Sequence, residues 1–253
     1  GNVAFDRSDY DFLDTPGEFD SIHPSMTRIG RLNNNFGLYE VVAGVYQVRG
    51  FDLANVTFVR GATGWIAFDV GTSVETTRAA WELFQEHVGE GLPITAVIYS
   101  HTHADHWGGV GSLVTQDDLD AGRVEIIAPD GFMEFLISEN VFAGNAMNRR
   151  LFYQYGLLRP SGRHGFVTQG LGHRVPAGVN SLLAPPTSSL RDAAENDDWS
   201  TINTALQLFD PDFQDGVPDT FVEGMAAEGV SVEDIPPAAR EQMPQAVLEQ
   251  LDE

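Results

Sequence analysis

The stretch SHTHADHWGG, residues 100–109, gathers His101, His103, Asp105 and His106 into six positions of a 253-residue chain that has seven histidines in all. Neutral imidazole and carboxylate are ligands that suit zinc, and less exclusively manganese or iron. His101 and His103 alternate and so face the same way off an extended backbone, while Asp105 and His106 follow once the chain bends. Four ligands in six residues crowd a single tetrahedral ion. Two histidines on one metal and the Asp-His pair on a second is sterically easier, and two neighbouring metals can share a hydroxide and polarise a substrate oxygen. Gly108 and Gly109 permit close backbone approach just beyond the loop. The alternative is a surface histidine cluster without metal; the spacing, the apolar run before the loop and the aspartate together weigh against it.

Such a loop needs a rigid support, and the neighbouring sequence supplies one. ITAVIYS, residues 94–100, is a short β-branched run ending at the loop, which predicts a buried strand. Upstream, YEVVAGVYQVRG, ANVTFVRG and TGWIAFDVG are strand-like and closed by glycine, with a hairpin turn predicted near Arg60-Gly61. A helix is expected to begin near Thr72, where Thr72 and Glu75 have capping-box spacing and Ala79, Ala80, Leu83 and Phe84 form an apolar stripe. WGGVGSLVTQDDL reads as a helix start and RVEIIAP as a further buried strand. Strands alternating with helices imply a layered α/β fold. Residues 1–35 are polar and read as an extended arm around the core.

The net charge is −23, and all 14 basic residues are arginine. Binding to nucleic acid or an anionic membrane surface is disfavoured on electrostatic grounds. A lysine-free acidic chain also fits a high-salt setting. With no cysteine, a metal must sit on histidine and carboxylate, and the redox compartment is left open. No apolar run is long enough to predict a membrane span. Residues 191–253 hold 16 acidic and 2 basic residues, with two helical patches, TFVEGMAAEGV and REQMPQAVLEQL.

On the HTHADH loop the chain resembles the metallo-β-lactamase superfamily, whose pattern is HxHxDH after a buried strand. The resemblance implies an α/β fold, an αββα sandwich, incomplete here, with an acidic helical C-terminal tail. It also implies that Asp69, closing WIAFDVG, sits beside the metals and orients their ligands. Further blocks, among them HPSMTRIGRLNNNFGLYEV, ENVFAGNAMNRRLFYQYG and LLRPSGRHGFVTQGLG, resemble the alkylsulfatases of that superfamily in order, over about residues 20–188. The AGNAMNRR block separates this likeness from glyoxalase II, lactonases and β-lactamases.

This resemblance implies two zinc ions (Zn2+), a bridging water or hydroxide, and hydrolysis of alkyl sulfate esters to alcohol and sulfate. His101 and His103 match the ligands of one zinc, Asp105 and His106 those of the other, with Asp105 also the candidate catalytic residue. The implied partner is a small-molecule alkyl sulfate, with no nucleic acid, no membrane span, and a homodimer as an added expectation. Candidates for an apolar groove are Phe132, Phe135, Leu136, Phe142, Phe152 and Tyr155, for each of which core packing is the competing role. Arg149-Arg150 is read as structural, pairing with Glu139. Asn140 and Asn145 either orient a ligand or cap a turn.

After SLLAPPTSSL, residues 181–190, the resemblance fades, and the chain reads as truncated or divergent. The family's later ligand blocks are not seen; AAEN, with Glu195 and Asn196, is a faint match without the histidine that should follow. His164 and His173 are taken as loop residues. The expected organisation is an N-terminal arm over 1–35, a metallo-β-lactamase-like domain over 36–190 and an acidic tail over 191–253. Two other functions stay open: hydrolysis of a lactone, thioester or phosphodiester on the same fold, and a non-catalytic truncated homologue.

Overall fold

A computed structural model describes residues 3–181 and 184–189. The acidic tail, its two helical patches and the AAEN block lie outside the described residues. Among those described, a seven-stranded sheet has its strands in chain order: β1 (Gly37–Val42), β2 (Val45–Arg49), β3 (Val56–Arg60), β4 (Trp65–Phe68), β5 (Ile94–Ile98), β6 (Glu125–Ala128) and β7 (Ser188–Ser189). The first four form an antiparallel meander, and Arg60 opposite Trp65 closes the hairpin expected near Arg60-Gly61. From β4 to β7 the pairing is parallel. The crossover from β4 to β5 is α2 (Val74–His87).

The change of pairing follows from the sequence. The antiparallel strands are joined by short glycine turns, whereas the parallel strands β4 and β5 and residues 126–128 of β6 are short and largely apolar because both faces are covered. In β5, Val97, with Tyr99 just beyond the strand, faces one cluster with α2, while Ala96 and Ile98 face a second cluster with Val45, Val59, Ile66 and Ile127. This is the two-residue period of a strand read out on a sheet buried on both sides.

Phe84 of α2 centres the first cluster. It stacks on Phe58 at 4.4 Å and meets the edge of Trp65 at 4.7 Å. Such contacts add about 0.5–1.5 kcal/mol per pair to the burial itself.

α2 begins one residue later than the capping-box spacing suggests. Its cap is Ser73, whose hydroxyl accepts from Thr76 N, and Glu75 instead accepts from Val179 N at 2.8 Å. Thr72 is drawn away by buried Asp52, which accepts from its amide at 2.9 Å and its hydroxyl at 2.6 Å, and also from the Thr76 hydroxyl. Burial raises the Asp52 pKa against the lowering effect of these bonds. The cluster staples the turn after β4 to the start of α2.

The N-terminal region is helical rather than extended. A 3-10 turn (Ser8–Asp14) and α1 (Pro24–Asn33) bring Tyr10, Leu13 and Phe19 onto Phe166 and Val167. Pro24 at the first helical position, behind the His23 cap, is compatible with a helix start. Among the described residues, no helix is long and apolar enough to cross a membrane.

Candidate metal centre

β5 delivers the histidine loop to the end of the sheet where the parallel strands terminate. Asp69 leaves β4 at the same end, its amide bonded to Ile98 O at 2.9 Å and its backbone at φ 53°. A positive φ at a non-glycine residue is uncommon, and aspartate is among the residues that tolerate it. The loop is then tied to the turn after β4 by Val70 N to His106 O at 2.9 Å and Gly109 N to Gly71 O at 3.2 Å. A Cβ at Gly109 would overlap the Thr77 hydroxyl and the Val70 carbonyl, and one at Gly108 the Thr72 carbonyl. The close approach expected of this glycine pair is therefore present, and it seats the short α3 (Ala104–Trp107) against the turn.

The three imidazoles share a common pattern. His101 Nε2 and His103 Nδ1 stand 3.0 Å apart. On its other side, His101 Nδ1 lies 2.8 Å from Ser100 Oγ, whose own hydrogen goes to Asp69 Oδ2 at 2.8 Å. That hydroxyl can then only accept, so Nδ1 carries the proton and Nε2 presents a lone pair inward. His103 Nε2 lies 2.9 Å from Glu139 Oε1, an acceptor, which leaves the inward Nδ1 unprotonated as well. Two nitrogen lone pairs aimed at each other across 3.0 Å repel unless a cation or a proton sits between them. Burial, followed by the charges of His106 and His103, lowers the His101 pKa and so disfavours the proton.

His106 Nδ1 donates to Asp69 Oδ2 at 2.7 Å, and its Nε2 is 3.4 Å from Asp105 Oδ2. Burial works against charge on His106, but bonds to Asp105 and Asp69 prevail and hold its pKa up at about 9. Asp105 is correspondingly lowered: burial, the largest single effect, would raise it, and the hydrogen bond and charge of His106, with a backbone bond and the charge of His103, together outweigh that. A cation entering between Asp105 and His106 would displace a proton from Nε2.

The donor spacings suit a divalent ion. Zn–N bonds of about 2.1 Å in a tetrahedron place adjacent ligands about 3.4 Å apart. The observed 3.0 Å for His101–His103 and 3.4 Å for Asp105–His106 lie close to that. The fit is pairwise: among the described residues, no group of three or more histidine, aspartate or glutamate side chains stands together at metal-binding geometry.

Beside the loop opens a cleft of about 600 Å³ lined by His101, Thr102, Pro129, Phe132, Phe135 and Glu139, among others. Of the six residues proposed for an apolar groove, Phe132 and Phe135 line it. Phe132 is also core, stacked on Tyr99 at 5.3 Å, whereas Phe135 is 62% exposed. Leu136 is buried in the core, Phe142 and Phe152 are exposed, and Tyr155 packs under the N-terminal helices.

Glu139 is engaged by Thr102 and His103 rather than by an arginine. Asn140 donates to Thr102 O at 3.2 Å and Leu136 O at 3.0 Å, so it clamps the loop. His164 is exposed. His173 is buried far from the loop in the N-terminal cluster, stacked on Tyr10 at 4.0 Å. Sequence reasoning missed the contact between Glu139 and the histidine loop, because nothing in the spacing brings residues 37 positions apart together.

The family description that matches this chain is the metallo-β-lactamase superfamily, over residues 49–212. This chain belongs to the metallo-β-lactamase superfamily. Within it, the chain is 44% identical over 197 residues to a linear primary-alkylsulfatase of Pseudomonas sp., a match covering 77% of this chain and 29% of that one. The solved stereoselective inverting sec-alkylsulfatase of Pseudomonas sp. superposes with a TM-score of 0.69 at 42% identity, over 74% of this chain and 30% of that one. The chain thus spans about three-tenths of the length of the alkylsulfatases it matches. Over 75 residues it is also 57% identical to glutamyl-tRNA reductase of Haloarcula marismortui, covering 30% of this chain and 16% of that one. The expected relation to alkylsulfatases and the α/β superfamily fold both hold.

Proposed function

We propose that this chain carries the histidine-loop part of a dinuclear zinc centre that hydrolyses alkyl sulfate esters to an alcohol and sulfate. The observation that carries the reading is the pair of inward lone pairs on His101 and His103, with every outward nitrogen of the three imidazoles held by a hydroxyl or carboxylate. The likeness to alkylsulfatases selects the substrate class.

In this reading His101 and His103 hold one zinc, and Asp105 and His106 hold the other. Bound zinc supplies Lewis-acid neutralisation of the sulfate oxygens and a nucleophilic water at neutral pH. The chain's own residues do the rest. Asp69 holds the Nδ1 proton of His106 and, through Ser100, that of His101, so both rings keep one orientation. Asp105, buried against His106, is held ionised and available as a ligand or proton acceptor. Phe132, Phe135 and Pro129 give the alkyl tail an apolar wall beside His101.

The test is sulfate release from dodecyl sulfate by zinc-loaded protein, abolished by a chelator and by His103→Ala. No release at saturating zinc counts against the reading, and a panel of lactone, thioester and phosphodiester substrates then tests the same fold with another ester. The incomplete ligand group among the described residues motivates the rival reading of a non-catalytic homologue. Two zinc ions per chain by metal analysis favour the enzyme; zero or one favours the homologue.

A further inference from the structure

His101 and His106 each have a partner that fixes the outward nitrogen, Ser100 and Asp69 respectively, both placed at the end of the parallel strands. His103 is half-exposed and gets nothing from the sheet. Its outward Nε2 is met instead from another part of the chain, by Glu139 Oε1 at 2.9 Å. The second carboxylate oxygen of Glu139 accepts from the Thr102 hydroxyl at 2.9 Å, so one side chain engages two consecutive residues of the loop. Asn140 closes the same contact on the Thr102 carbonyl.

Glu139 reaches the loop because Ser138–Phe142 is a π-helical turn that widens the end of α4 (Phe132–Ile137) before α5 (Gly144–Tyr155) begins. Isolated π turns of this kind occur frequently at functional sites, since they re-aim a side chain that a regular helix would direct elsewhere. The Glu139 side chain is 24% exposed, against 54% for His103, so the carboxylate is the better-held partner of the two.

We infer that Glu139 is a positioning residue of the metal centre: its carboxylate accepts the Nε2 proton of His103 and thereby keeps the Nδ1 lone pair aimed at the ion. This rests on the zinc reading above. A carboxylate behind a ligating imidazole fixes its tautomer and raises its basicity, and removing such a partner costs metal affinity about 10–100-fold. Thr102 contributes only the tether, so loss of its hydroxyl leaves the ring contact in place.

The experiment has two arms on the full chain. In metal-free protein, long-range ¹⁵N–¹H spectra should show His103 as the Nε2–H tautomer in the parent and in Thr102→Val, and as a mixture in Glu139→Ala. In competition with a chromophoric chelator, Glu139→Ala should bind zinc about 10–100-fold more weakly than the parent, while Thr102→Val stays within about threefold.

A Glu139→Ala affinity within twofold of the parent, with the tautomer unchanged, overturns the proposal and leaves the zinc reading standing. A parent that takes up no zinc removes both. If Glu139→Ala fails to fold, Glu139→Gln decides, because it keeps an acceptor without the charge. A weakening of roughly threefold to tenfold then upholds the proposal, and unchanged affinity overturns it.

Discussion

Two histidines show how differently one fold can treat the same side chain. His106 sits at the end of the parallel strands between Asp69 and Asp105, which hold its pKa up at about 9 despite burial. His173 lies in the N-terminal cluster, 2% exposed and stacked on Tyr10. Burial first, then the charge of the Arg7 guanidinium, push its pKa down to about 4. It has no carboxylate partner among its described contacts; its Nε2 lies 3.3 Å from the side-chain oxygen of Asn34, and a backbone bond to Val167 is too weak to offset the lowering. Carboxylates behind a ring prepare it for a cation, whereas an aromatic face and an arginine beside it keep it neutral and structural. A count of histidines would treat the two alike.

The largest effect that would break this contrast is catalytic. His103→Ala should cut sulfate release roughly a thousandfold or more, because several kcal/mol of charge stabilisation would be lost with the ion. Its melting temperature should barely move, since the ring is half-exposed. Equal losses of activity and stability in that variant would mean that the loop is structural.

Tyr10→Ala should behave in the opposite way, costing about 3 kcal/mol of stability as a fully buried ring is removed. Activity per folded molecule should be nearly unchanged. Denaturant titration alongside an assay at low temperature checks both halves.

Asp69→Asn comes next, with zinc affinity lower by about 10–100-fold, because the amide supports the His106 and Ser100 contacts less well than the carboxylate. Chelator competition measures it, and an unchanged affinity would remove Asp69 from the centre.

The smallest effect is the acid response of His173. Its folded pKa of about 4 lies below the ordinary imidazole value of 6.5, so the folded state favours the neutral ring. The contribution is complete above about pH 6.5 and is lost as the pH falls towards 4. His173→Asn should therefore flatten the fall in melting temperature over that window relative to the parent. An identical slope would show that His173 is not the group responsible.

The net charge supplies a check on the whole molecule. At −23, self-repulsion opposes the compact state, so the melting temperature should rise with salt as the charges are screened. A melting temperature independent of salt would contradict this.

Much of the framework was legible in the sequence because it is local. The strands, their glycine turns and the loop that ends β5 depend on residues a few positions apart, whose periodicity and turn chemistry act within one element. The cap of α2 was misplaced by one residue because Asp52, far upstream, claims Thr72. The N-terminal arm reads as extended because its apolar residues show no local period, and they find their partners far along the chain, at Phe166, Val167 and Tyr155. Asp69 was placed beside the histidines by family resemblance rather than by any local pattern.

What the sequence determined by itself is the donor chemistry: three imidazoles and a carboxylate on one bend, behind an apolar strand, with no thiol in the chain to compete. What only the tertiary structure decided is which way each ring faces. Orientation depends on hydrogen-bond partners 37 positions away, Asp69 for His106 and Glu139 for the Thr102-His103 segment. Those partners are set by the parallel pairing of β4 with β5 and by a widened helical turn, neither of which leaves a periodic mark in the residues that it brings together.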